Sequence, residues 1–171
     1  MLFKELIVDR DRRYFFGFST SFICLSMQLF LTKISQFYFS ETPLGLLFSF
    51  MILGFSIGAA LNFIKHRCIF FVSTISLPLS LLLFLVIQCL GPTPFLFYLS
   101  ILPIFISSGA ILNVGLANTT THLFYFFDLL GGGLGIIYAM FSTPFISIET
   151  SISFLALISS LFTVSYALKK N

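Results

Sequence analysis

The chain has 171 residues, the length of one domain, of which 58% are hydrophobic, 9% are charged and 25 are phenylalanine, and its net charge is +3. Typical soluble domains carry roughly 25% charged residues, and this chain has too few charges to cover a soluble surface. Few charges, placed at segment ends, argue against a nucleic-acid-binding domain, a disordered tail or an extracellular disulfide scaffold. A mean hydropathy of +1.07 points instead to an integral membrane protein.

A helix crossing about 30 Å of hydrocarbon needs roughly 20 mostly apolar residues, and only helices satisfy every backbone group within one segment. The fold class read from the chain is therefore all-α, a polytopic membrane bundle of about six transmembrane helices. Residues 1–13 form a short charged lead, 14–168 the membrane domain and 169–171 a tail. The first span runs from Tyr14 to Ile34 and the second from Pro43 to Ile64. Lys65-His66-Arg67 is a basic turn, and the third span follows from Cys68 to Leu90. Gly91-Pro92-Thr93-Pro94 is a sharp break, since proline lacks a donor and restricts the residue before it. The fourth span ends near Ala117, the polar stretch Asn118 to Thr121 follows, and the fifth runs from His122 to Thr143. Pro144 marks the last turn, and the sixth span runs from Ile148 to Leu168. Loops of a few residues predict consecutive helices packed as antiparallel neighbours. The first span is too long for a signal-peptide core and no small-residue cleavage site follows it, so it reads as retained.

Lysine and arginine placement sets orientation. With the N-terminus inside, Lys4, Arg10, Arg12, Arg13, Lys65, Arg67, Lys169 and Lys170 lie on the cytoplasmic side and Lys33 alone lies outside. Both termini are thus expected in the cytoplasm, in a bacterial inner membrane. There is no tryptophan; Tyr14, Tyr38, Tyr98 and Tyr166 are the available interfacial aromatics.

One ionisable residue stands clearly inside a span: Asp128. A charge there costs at least about 2.5–3.5 kcal/mol, so it is expected to face the bundle and meet a polar partner. Asn113, Asn62 and Gln28 are the candidate donors, and with Asp128 they form the candidate buried polar site. Gly54 and Gly58, and Gly132 and Gly135 beside Asp128, make small-sided faces that admit another helix backbone. Gly131-Gly132-Gly133-Leu134-Gly135 also fits a nucleotide-binding turn. Too little chain follows Glu149 for the remaining strands of such a fold. Cys24, Cys68 and Cys89 share no metal spacing and read as small packing residues. His122 and His66 lie at loops, so a bis-histidine haem site is disfavoured. No nucleophile–base pair and no metal-ligand cluster appears. No cofactor, metal or catalytic residue is expected.

Three stretches carry a family resemblance. They are Gly17 to Ser35 with Gln28 and Lys33, the run Leu53-Gly54-Phe55-Ser56-Ile57-Gly58-Ala59, and Tyr125-Phe126-Phe127-Asp128-Leu129-Leu130-Gly131-Gly132-Gly133-Leu134-Gly135. In these the chain resembles the membrane domain of the spermidine synthase-like proteins, itself similar to part of a major-facilitator transporter. The resemblance implies a helical bundle with Asp128 as its hallmark. Lys169-Lys170-Asn171 stands where that family's catalytic domain begins, so the aminopropyltransferase activity does not carry over. The expected function is a non-catalytic integral membrane subunit that anchors or assists a partner protein in a membrane complex. The alternative is a small facilitator-like transporter or channel acting as a homo-oligomer. The partners expected are the lipid bilayer and either another protein or a second copy, with no nucleic acid.

Overall fold

Apolar stretches that must pair every backbone group internally become helices, and the proline, glycine and charge breaks separate them. The computed structural model describes residues 2–38, 44–61, 66–91, 93–117 and 119–168. Among them are six helices and no strand: α1 (Leu2–Tyr38), α2 (Leu44–Ala60), α3 (His66–Cys89), α4 (Pro94–Ala117), α5 (Thr121–Ser142) and α6 (Ile148–Leu168). The all-helical bundle read from the sequence is the fold. Arg13–Phe37, Ile69–Cys89, Pro94–Ala117 and Thr121–Ser142 are each long and apolar enough to cross a membrane. Gly45–Ala60 and Ile148–Val164 are apolar but shorter. The chain is thereby marked as a membrane protein. The charged lead is part of α1, whose 37 residues reach roughly 55 Å at 1.5 Å per residue, well past the hydrocarbon thickness. Gly91, at a φ of 74°, turns the chain after α3 in the left-handed region that favours glycine.

Neighbours in space are not neighbours in the chain. α1 packs chiefly on α5 and α2 on α4, while α3 lies against both α4 and α6. Contacts of α1 with α4 and with α6 close a ring of four helices, α1–α4–α3–α6, with α5 docked outside on α1 and α2 outside on α4. Among the described residues, α3 and α4 are the only consecutive pair that packs closely; α1–α2 and α4–α5 touch lightly. This corrects the expectation that consecutive helices pack as antiparallel neighbours. Short loops reverse the chain, but small-residue faces choose the partner. Gly54 and Gly58 of α2 sit on the backbone of Leu102 and Ile106 in α4, and Gly131 and Gly135 of α5 sit on that of Phe18 and Phe22 in α1. In both pairs the residue numbers rise together, so the two helices run parallel.

The pairings have an internal symmetry. Exchanging α1, α2 and α3 with α4, α5 and α6 turns α1–α5 into α4–α2, and α3–α4 into α6–α1. The same exchange leaves α1–α4 and α3–α6 unchanged. The glycine pairs obey the exchange as well, standing ten and fourteen residues after the first residue of α2 and of α5. Gly109 of α4 admits the backbone of Phe55. At the corresponding contact the sizes are reversed, with Leu25 of α1 against Gly132 of α5.

The ring is filled by Phe30, Phe84, Phe97, Phe105, Ile23, Met27, Leu81, Ile101 and Ile104, all under 2% exposed. Phe124 of α5 is a wedge: its ring lies against both Gly17 of α1 and Gly115 of α4, tying three helices together. Pro78 lies inside α3 and cannot donate to the carbonyl of Thr74 one turn back. Thr163 of α6 supplies the missing donor, its hydroxyl 2.8 Å from Thr74 O and 3.0 Å from its own Ser159 O. Thr163→Val is expected to cost about 1 kcal/mol in detergent unfolding. The same substitution beside Pro78→Ala, which restores the α3 backbone donor, should cost much less. Equal costs in both backgrounds would mean that the bond to α3 contributes nothing.

Candidate functional site at the α1–α5 contact

Asp128 lies about two turns into α5, half-buried. Tyr14 sets its register: the Tyr14 hydroxyl accepts from Thr120 N at 3.2 Å and also bonds the Thr120 hydroxyl. The start of α5 is thereby tied to the start of the α1 span. Two turns on, the Ser21 hydroxyl donates to Asp128 Oδ1. Another turn on, Ser26 donates to Phe22 O at 2.7 Å and to Gly135 O at 3.0 Å. The buried hydroxyls of α1 thus meet α5 along the strip where its glycines remove side chains.

The donor that reaches the carboxylate is Ser21, not Asn113 or Gln28, the two described amides among those named from the sequence. Asn113 turns to α2, donating through Nδ2 to Ala59 O at 2.9 Å. Gln28 is half-buried two turns beyond Ser21 on α1, with no hydrogen bond to Asp128 among the described residues. Asn62 lies outside the described residues, as do Lys65, Lys169 and Lys170. Among the described residues, Asn113 and Gln28 therefore do not join Asp128 in one site. Cys24 is buried in the hydrophobic core beside α4, as a small packing residue.

All four glycines named for packing lie against other helices: Gly54 and Gly58 on α4, Gly132 on Leu25, Gly135 on the Phe22 carbonyl. Gly131, Gly17, Gly109 and Gly115 also lie against other helices. Ser21 was missed because α1 carries many hydroxyls. The available signal was depth, since Ser21 and Asp128 stand equally far into spans that run in the same direction. Using it requires knowing that α1 and α5 pair.

His122 and Glu149 are exposed at the first turns of α5 and α6, and Lys33 is exposed near the end of α1. No group of three His, Cys, Asp or Glu residues among those described could hold a metal ion. Chemically, the site offers one carboxylate with a hydroxyl donor, able to hold a proton or to bind the two helices. Comparison of the chain with protein-family models, curated proteins and solved structures returns no match.

Proposed function

We propose that this chain is a non-catalytic integral membrane subunit that anchors or assists a partner protein in a membrane complex. The observation that carries this reading is the division of α5 into two faces. Gly131, Gly132 and Gly135, with Asp128, are taken up by α1, whereas Phe126, Leu129, Ile137, Met140 and Phe141 remain exposed. A carboxylate hydrogen-bonded at a glycine contact suits an anchor between helices. A broad apolar face is suited to lipid or to another membrane chain. The resemblance to the spermidine synthase-like membrane domain, a bundle that works with a cytoplasmic domain, fits a role beside a partner. The basic residues favour both termini in the cytoplasm of a bacterial inner membrane.

A second reading, a facilitator-like transporter acting as a homo-oligomer, is favoured by the exchange symmetry of the two three-helix halves. Three-helix repeats in succession necessarily run in opposite directions, an arrangement common in transporters. Purification in mild detergent, with a photo-crosslinker at Leu129 on the open face of α5, separates the two. A different chain, recovered in fixed stoichiometry and crosslinked at Leu129, is the outcome expected. A pure dimer crosslinked to itself would favour the second reading, and a coloured cofactor would sink both.

A further inference from the structure

Inside the four-helix ring, near the end where the α1 span begins, lies a cavity of about 10 Å³ lined by Ser19, Thr20, Thr74 and Ser159. These four hydroxyl residues come from α1, α3 and α6, and each is more than nine-tenths buried. Phe16 and Phe162 flank the cavity on one side, and Ile23, Leu77 and Ile111 on the other. The hydroxyls fall into two kinds. Ser19 donates to Phe15 O at 2.7 Å and Thr74 to Phe70 O at 2.6 Å. Their protons are thus directed back along their own helices, leaving lone pairs as acceptors. Thr20 and Ser159 make no side-chain hydrogen bond among the described residues, and both line the cavity, where a polar partner would offset the cost of an unmet hydroxyl.

We propose that this cavity is a binding site for one water molecule, which joins α1, α3 and α6 at the turn of α3 that precedes Pro78. The volume matches the roughly 10–15 Å³ that a single buried water needs, and such waters typically make about three hydrogen bonds. Two committed acceptors and two free hydroxyls give a water donors and acceptors on three helices. A metal ion is a poor occupant, because no carboxylate lines the cavity to offset its desolvation. The water does for the ring what Thr163 does one turn away for the Thr74 carbonyl. It satisfies polar groups at the seam where α1, α3 and α6 meet.

The test is the pair Thr20→Val and Ser159→Ala, singly and together, melted in detergent. Each single variant should melt roughly 2–4 °C lower, and the double variant no lower than the worse single. Additive losses, or no loss in either single, would overturn the shared water. Melting of the parent protein should be the same in sodium, potassium and choline chlorides at equal ionic strength; a sodium-specific rise would overturn water in favour of a cation. A density map that resolves ordered water elsewhere in the bundle should show one peak between Thr20 and Ser159, and an empty cavity there would also refute the proposal.

Discussion

Gly131→Ala should lower the melting temperature, and Gly133→Ala, two residues along the same helix, should raise it. A Cβ on Gly131 would meet the carbonyl of Phe18, whereas a Cβ on Gly133 meets nothing within 4 Å. The Phe18 carbonyl belongs to the α1 backbone, so it yields only if the two helices move apart. Overpacking of this kind costs about 1–3 kcal/mol. At Gly133 only the intrinsic preference of helices for alanine over glycine acts, worth about 1 kcal/mol in favour. Gly58 repeats the Gly131 situation against Ile106 O, and its replacement by leucine should leave little monodisperse protein. Thermal melts of the two alanine variants decide the matter. The same sign for both would mean that α5 does not lie on α1 through this face.

Asp128→Asn is expected to fold and melt close to the parent, since an amide oxygen can still accept from Ser21. Asp128→Leu should lose about 1.5–3 kcal/mol, the worth of a buried hydrogen bond to a charged group. Ser21→Ala should lose a similar amount, and adding Asp128→Leu to it should cost little more, because the two residues form one contact. Chemical denaturation of the four variants measures the coupling. Independent losses would mean that Asp128 has another partner. If instead the carboxylate couples a proton to transport, Asp128→Asn would fold normally and abolish uptake by reconstituted vesicles. A stable Asp128→Leu protein in a functioning complex would leave the carboxylate without a role.

Local chemistry made the helices legible. Pro94 and Ile148 stand where α4 and α6 begin, because breaks of this kind act within a few residues. Asp128 and the glycines were legible too, as departures from an otherwise apolar background. The partners were not. Loop length argued for α1 against α2, whereas close approach of Gly131 and Gly135 to Phe18 and Phe22 placed α1 against α5. Such a contact depends on two faces more than a hundred residues apart, and hydrophobic periodicity within either helix cannot report it. Ser21 became visible as a donor only through that pairing. The helical lead in α1 was hidden for a different reason: its charges suggested a separate segment, but nothing in Leu2 to Arg13 breaks a helix.

The order of helix partnership also bears on how the chain is made. A ribosome delivers α1, α2 and α3 to the membrane before any of α4, α5 or α6 exists. Yet α1 finds its principal mate in α5, and α2 in α4. The early helices therefore wait in lipid with their glycine faces and the Ser21 hydroxyl uncovered, and neither half has a closed interior of its own. Among the described residues, the α3–α4 hairpin is the one close pairing between consecutive helices, and so the first that synthesis in chain order allows. Assembly finishes only after α5 has carried Phe124 into the notch between Gly17 and Gly115. Contacts so distant in the chain make assembly slow and exposed to wrong partners, and a chain cut short before α5 would present its unmated helices to quality-control proteases.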